Sequence, residues 1–374
     1  MKRIIRPIIK WTGGKYREFA LFQEHIPKFE RYIEPFFGGG GVFFALQPKT
    51  PVIINDKSQD LIRFYQQIKS RTFKTRIGQY ADAWDEVTTL SELLWESTGQ
   101  KFCDFILNQA EISALTASID KELTATLTSL STLSNKDFLK NPTEFYQHLK
   151  KGMESKASRL QRISAKAGKT FDFKELKKHF ETALKSGTYL FFRTLLNKNT
   201  KKHFLSEADA AANWYFVREF CYASMFRYNK KGVFNIPYGG ILYNRKKFRK
   251  KANTIFTKPL QNLFQDAEIH NQDFEILLAS ITLTPSDFIF LDPPYDSEFS
   301  EYDQNSFTLD DQKRLADFLI SCVAKWMVVI KETPFILELY RHPSVKITTF
   351  DKKYVYNVRG RNNRKATHLI ITNY

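Results

Sequence analysis

Cysteine is scarce: the 374-residue chain carries three, Cys103, Cys221 and Cys322. Widely spaced and without a CxxC pair, they exclude a disulfide framework and a thiolate zinc cluster, and they fit a reducing compartment. The seven histidines are scattered, with no HxxxH pair and no neighbouring carboxylate cluster, so no metal is expected. Long apolar runs are missing too. Nothing approaches the roughly 18 residues of a membrane-spanning helix. Met1-Lys2-Arg3-Ile4-Ile5-Arg6-Pro7 lacks the apolar core of a secretory signal. A soluble cytoplasmic protein that engages no membrane is the expectation.

Acidic residues are also under-represented, 40 against 57 Lys+Arg, for a formal net charge of +17. Such a surplus is either a solvated surface or an attraction to a polyanion, and its distribution decides. Leu196 to Leu260 holds 14 Lys+Arg and three acids (Glu207, Asp209 and Glu219) in an aromatic-rich stretch. That concentration favours nucleic acid. Hydrophobic residues make up 43% of the chain, including 34 Phe, which excludes a wholly disordered protein. At roughly 150 residues per domain, the length suggests two domains or one with a large insertion.

The α/β pattern is discontinuous. Arg31 to Phe37 is expected as a strand entering Gly38-Gly39-Gly40-Gly41, a helix begins at Val42, and Pro51 to Asp56 is a second strand before a helix from about Ser58 to Lys69. Strand, glycine turn, helix and strand make the first unit of a doubly wound sheet. Residues 70–190 show helical periodicity and no catalytic constellation, as an inserted helical region would. The α/β pattern returns after Ile269 with two apolar strands, Asp287 to Leu291 and Trp326 to Ile330, around an amphipathic helix from Leu309 to Ala324. Lys353 to Tyr356 and Thr367 to Thr372 are expected as a terminal antiparallel pair.

Three motifs carry chemistry. Glycines after a strand let the backbone turn tightly against a ligand, although a tight turn alone would also account for them. Asp56, 18 residues beyond Gly38, suits ribose hydroxyls, but Phe43 stands where a GxGxxG fingerprint needs glycine. A nucleoside without phosphates is therefore preferred to a dinucleotide. Lys10-Trp11-Thr12-Gly13-Gly14-Lys15 fails the phosphate-loop pattern, but Trp11 could cover an aromatic or cationic ligand and Lys15 could pair with a carboxylate. Phe290-Leu291-Asp292-Pro293-Pro294-Tyr295 weighs most. Two prolines after a buried strand turn the chain out at the carboxyl edge of the sheet, where such sheets bind ligands. There the Asp292 carboxylate and the Pro293 carbonyl are acceptors beside the flat face of Tyr295, a set that suits an exocyclic amine on a planar base.

Taken in order, these motifs resemble the Dam-like, alpha-class DNA adenine-N6 methyltransferases. The match runs through Lys10 to Lys15, Glu34-Pro35-Phe36-Phe37-Gly38-Gly39-Gly40, Ile54-Asn55-Asp56, Phe226 to Gly239 and Asp292-Pro293-Pro294-Tyr295. It covers about 1–69 and 205–374, leaving out most of 70–190. The fold implied is α/β, a doubly wound Rossmann-like methyltransferase sheet with an inserted, mostly helical DNA-recognition domain. On that reading 1–69 plus 266–374 bind S-adenosylmethionine, and 70–265 recognise double-stranded DNA. The resemblance implies a cofactor site of Trp11, Lys15, Glu34, Pro35, Phe36, Gly38, Gly40, Asp56, Asp273, Phe274 and Asp292, and a catalytic set of Asp292, Pro293, Pro294 and Tyr295.

For DNA, the implied contacts are Tyr222, Arg227, Asn229, Lys230, Asn235, Arg245, Lys246 and Lys247. Lys230-Lys231-Gly232 is expected at a hairpin turn, with Tyr222 filling the gap left by an extruded base. Arg227 would read a guanine edge, and Arg245 to Lys251 would grip phosphates. Ala223 stands where close relatives carry an Asn that contacts DNA, so a GATC target is not implied. A bacterial cytoplasmic or nucleoid protein, or a phage-encoded one, is expected, and a cognate restriction endonuclease acting separately is compatible with it. Two other readings stay open: methylation of a cytosine amine, an RNA base or a protein amide, and a DNA-binding module without catalysis.

Overall fold

The computed structural model describes residues 5–229, 231–294, 307–353 and 365–374. In chain order the first segment forms α1 (Phe19–Phe22), β1 (Arg31–Glu34), α2 (Gly41–Leu46), β2 (Val52–Asn55) and α3 (Gln59–Gln67). Helices follow: α4 (Arg71–Ile106), α5 (Ile112–Thr128), α6 (Lys136–Leu139), α7 (Pro142–Ala167), α8 (Phe173–Lys202), α9 (Glu207–Phe220) and α10 (Phe248–Ile255). The last segment supplies α11 (Lys258–Leu263), β3 (Ala267–His270), α12 (Phe274–Ser280), β4 (Asp287–Leu291), α13 (Leu309–Ser321), β5 (Lys325–Lys331), α14 (Pro334–Leu339), β6 (Lys346–Lys353) and β7 (Lys365–Thr372). Two compact units result, Met1–Gln66 with Thr257–Tyr374, and Gln67–Phe256.

The first unit is an α/β sheet in the order β3-β2-β1-β4-β5-β7-β6. The strands from β3 to β5 pair in parallel, with Ile33 opposite both Ile53 and Ile289, and β7 runs antiparallel between β5 and β6. β4 is buried along its whole length, which explains its unbroken apolar sequence. Ile289, Leu291, Val328 and Ile330 point to one face, against Leu277, Leu315 and Leu319. Phe288 and Phe290 point to the other, where Phe290 stacks on Phe22 at 5.8 Å. The strand order reverses at β1, which pairs with β2 on one side and β4 on the other. Ligands of such sheets bind beyond the carboxyl ends at that reversal.

Three expectations need adjustment. The first strand stops at Glu34 and does not reach Phe37. Pro35 has no N–H to continue the ladder, and its carbonyl instead accepts from Asn55 Nδ2 at 3.0 Å. β3 went unanticipated because it is an edge strand, only half-buried, and its sequence Ala-Glu-Ile-His carries no apolar run. The terminal pair exists, but its first strand begins at Lys346; residues 354–356 lie outside the described residues.

The second unit is helical, and its helix starts follow capping chemistry. Ser70, Asn141, Asp172 and Ser206 each accept a backbone N–H in the first turn of α4, α7, α8 and α9. Each such cap contributes about 1 kcal/mol. Its core is aromatic: Trp84 packs against Phe220 at 4.0 Å, and Phe216 against Phe192 and Phe220 at 5.1 and 4.8 Å.

Candidate active site

The glycine turn lies just past β1. Gly38 and Gly40 are left-handed (φ 50 and 65), a conformation that L side chains resist. Space is limiting as well: a Cβ on Gly38 would come within 2.9 Å of the Trp11 ring, and one on Gly40 within 2.6 Å of Phe37 Cζ. Trp11 therefore lies directly over the turn. At the end of β2, Asp56 accepts the Gly38 N–H at 2.8 Å and the Ser58 N–H at 2.9 Å. The amide that a pyrophosphate would use is thus held by a carboxylate, which would itself repel phosphate. A hydroxyl-bearing, phosphate-free nucleoside fits this turn, as S-adenosylmethionine is.

Asp292 leaves the neighbouring strand, β4, and its Oδ1 accepts from Lys15 Nζ at 2.6 Å. Lys15 is only 1% exposed and also donates to the Gly13 carbonyl at 3.3 Å. A buried ammonium persists when a carboxylate compensates it, so the pair fixes where the Asp292 carboxylate sits. Pro293 is buried and Pro294 exposed. The Pro294 carbonyl accepts from Gln312 Nε2 at 3.0 Å, a buried amide on α13 that holds the turn from behind. Glu34 is buried in the sheet and takes the Tyr32 hydroxyl at 2.8 Å. Burial raises its carboxyl well above the ordinary range; the Tyr32 bond opposes this, and the charges of Asp292 and Asp56 reinforce it.

Pro35, Phe36, Asp56, Asp273 and Phe274 converge. Asn55 is the clamp: its Nδ2 donates to the Pro35 and Gln272 carbonyls, each at 3.0 Å, and its Oδ1 accepts from Gln272 N at 3.0 Å. Asn271 Nδ2 donates to the Asp56 carbonyl at 2.8 Å. Asp273 caps α12 by accepting from Glu275 N at 3.0 Å, and the rings of Phe274 and Phe36 lie 5.4 Å apart. Arg314 bridges Asp273 (3.3 Å), Asp311 (2.7 Å) and Glu275, and its guanidinium covers the Phe274 ring at 4.9 Å. Tyr295 lies outside the described residues.

From sequence, Asn55 was named only as a member of the Ile54-Asn55-Asp56 match, without its clamping role, and the brace Gln312 and the bridge Arg314 were not singled out. The available signals were a buried amide ending an apolar strand and a Gln one helical turn before Leu315 and Ala316.

In the second unit, residues 221–229 and 231–238 form an irregular hairpin. Tyr228 bridges Phe234 and Cys221 bridges Tyr238, both antiparallel. Asn229 closes the turn, its Oδ1 accepting from Lys231 N and Val233 N at 3.0 Å each. Lys230 is outside the described residues. One face of α8 carries the hairpin. Tyr189 donates to the Ile236 carbonyl at 2.8 Å, Arg193 to the Asn235 carbonyl at 3.1 Å, and Asn197 exchanges two bonds of 2.9 Å with Phe234. Lys185 donates to the Asn244 carbonyl at 2.9 Å. Tyr222, Arg227 and Asn235 are exposed.

The basic run at 245–251 divides. Lys246 and Lys251 engage Glu219, whose carboxyl they hold below the ordinary range against the upward push of burial. Arg249 pairs with Asp82 and Asp85 at 2.7 Å each. Arg245, Lys247 and Lys250 are exposed.

A nucleoside-type glycine turn and an Asp-Pro-Pro elbow on adjacent strands of a seven-stranded sheet define a methyltransferase of the α/β kind. The chain belongs to the D12 class N6 adenine-specific DNA methyltransferase family, which it matches over residues 11–169 and 137–356. It is 36% identical to the type II methyltransferase M.CviBI of Paramecium bursaria Chlorella virus NC1A over 44% of this chain and 62% of that relative. It is 25% identical to the type II methyltransferase M1.LlaDCHI of Lactococcus lactis subsp. cremoris over 99% and 96%. It is 21% identical to a DNA adenine methylase of Vibrio cholerae over 96% and 92%. The chain is thus an adenine-specific DNA methyltransferase, and its family implies S-adenosylmethionine as methyl donor. Among the described residues no helix is long and apolar enough to cross a membrane, and no cluster of three or more His, Cys, Asp or Glu side chains is placed to hold a metal ion.

Proposed function

We propose that this enzyme methylates a specific site in double-stranded DNA, with Asp292 and the Pro293 carbonyl as the groups that act on the target adenine. The observation that carries this reading is the Asp292 carboxylate, fixed by buried Lys15 beyond β4 and next to the strand that ends in the glycine turn. An adenine amino nitrogen is a poor nucleophile because its lone pair is delocalised into the ring. The two acceptors each take one amino hydrogen, which localises that lone pair for in-line attack. S-adenosylmethionine, when bound, supplies an electrophilic methyl group on a sulfonium. As the new N–C bond would form and the methyl–sulfur bond break, its electron pair staying on sulfur as a neutral thioether, Asp292 accepts the proton that the nitrogen releases. Positioning and preorganised acceptors supply the acceleration.

Trp11, Asp56, Asp273 and Phe274 hold the nucleoside part of the donor in this reading, alongside Pro35, Phe36 and the glycine turn. Tyr295 stacks on the flipped base, worth about 1–3 kcal/mol against an extrusion cost of a few kcal/mol. Residues 70–256, the part of the expected 70–265 that lies in the helical unit, serve as the recognition domain, with Tyr222, Arg227 and Asn235 facing the duplex and Arg245 and Lys247 on phosphates. The setting is a bacterial cytoplasm or nucleoid, or a phage, and a separate endonuclease is compatible with it.

The test is tritium transfer from labelled donor to plasmid DNA. Asp292→Asn keeps the shape and removes the charge; transfer should fall by about 10²–10³ with duplex affinity unchanged. Turnover close to wild type would remove Asp292 from the mechanism.

A further inference from the structure

Twelve large hydrophobic side chains are exposed among the described residues; three of them, Tyr222 (53%), Ile241 (36%) and Leu242 (84%), sit on two short turns, and a fourth, Met225 (42%), directly follows the first turn. The turns, Tyr222–Ser224 and Ile241–Tyr243, are tied together, because the Tyr243 hydroxyl accepts from Ala223 N at 3.1 Å. Cys221 and Tyr238 bridge at their base. The first is held in a strained shape, with Ala223 and Ser224 at φ 54, and Gly240 at φ 82, a conformation open to glycine, leads into the second. An apolar tip this prominent on a rigid mount is built for a partner that offers apolar surface in return.

Charge identifies that partner. No Asp or Glu occurs from Phe220 to Gln265, a stretch with ten Lys+Arg. Exposed Arg227, Arg245 and Lys247 flank the two turns in sequence. An apolar tip flanked in sequence by exposed cations matches duplex DNA opened at a base step, where the basic side chains meet the duplex and unstacked bases meet the tip.

We propose that Leu242 is a second insertion wedge, entering the duplex beside Tyr222 and occupying stacking space released when the target adenine turns out. This rests on the reading of the chain as an enzyme that extrudes its target from duplex DNA. Leu242 is the most exposed of the four and carries no polar group to read a base edge, so its contribution is to lower the cost of opening.

The test uses the full chain and a short duplex bearing one adenine site that the wild-type enzyme methylates in plasmid DNA. Leu242→Ser should slow tritium transfer to the paired duplex by about tenfold, as loss of one stacking contact would. The defect should shrink to about twofold or less when the target adenine is mismatched, because a mismatched base costs less to extrude. Leu242→Met should restore most of the rate, and the melting temperature should not move in either variant. Equal transfer by wild type and Leu242→Ser on the paired duplex would overturn the wedge, as would an equal defect on paired and mismatched duplexes. Absence of transfer by the wild type to any DNA would instead overturn the underlying reading.

Discussion

The two units put charge to different uses. In the sheet unit, ionic groups are drawn inward and paired. Lys15 meets Asp292, and Arg31 meets Asp287 at 2.7 Å across the β1–β4 contact. Burial pushes the Asp287 carboxyl up, but its bond to Arg31 and the Thr284 amide hold it below the ordinary range. Such groups have one geometry each, as a reaction sensitive to fractions of an ångström requires. In the helical unit, polar groups act as fasteners: buried Tyr189 and Lys185 and half-buried Asn197 of α8 suspend the hairpin and the chain just beyond it by their carbonyls. Arg245, Lys247 and Lys250 stay at the surface. Damage to the first unit should therefore remove chemistry and stability together, and damage to the exposed charge of the second should remove affinity alone.

The largest departure that would break this contrast is at Lys15. Lys15→Met leaves Asp292 without its buried counter-charge and should cost about 3 kcal/mol, the lower end for a broken buried pair because the Asp292 side chain keeps 20% exposure. Denaturant titration reads that loss; transfer should fall at least as far as in Asp292→Asn, with duplex affinity retained. A parallel collapse of DNA binding would mean that the units do not divide the work.

A smaller effect separates charges within a single run. Replacing Arg245, Lys247 and Lys250 together by Ala should weaken binding to all sequences alike and reduce the slope of log affinity against log salt by about 2–3. Lys246→Ala, which strips a bond from Glu219, should instead cost about 1–2 kcal/mol of stability and leave the slope alone. If Lys246→Ala lowered the slope as much as one of the exposed three, the division of the run would be wrong.

What could be read from sequence follows from which interactions are local. Strands β4 and β5 were legible because burial on both faces forces an unbroken apolar run. The glycine turn was legible because only glycine satisfies both its φ and the approach of Trp11. The elbow was legible because two prolines cannot continue a ladder. Pairings over long separations were not. Nothing near Arg249 indicates that Asp82 and Asp85 neutralise it, and nothing near Asn197 indicates that it receives Phe234. The polar stripe Tyr189, Arg193, Asn197 has helical spacing, but a solvated helix face would have the same. Gln312 looks like one more polar residue on an amphipathic helix until the Pro294 carbonyl is placed against it.

The smallest effect concerns Glu34, where the sheet unit tolerates a buried carboxyl. Because burial raises its pKa in the native state, the folded chain holds this proton more tightly than the unfolded chain does. Stability from this group is greatest below the ordinary glutamate value of 4.5 and declines as pH climbs from there towards the raised value. Glu34→Gln has no proton to lose and can still accept from the Tyr32 hydroxyl. Its advantage over wild type in denaturant midpoint should therefore grow from pH 5 to pH 8. A difference that stays flat across that range would mean that Glu34 is ionised throughout, and that the strand beneath the active site holds a charge where the buried pairing pattern of this unit forbids one.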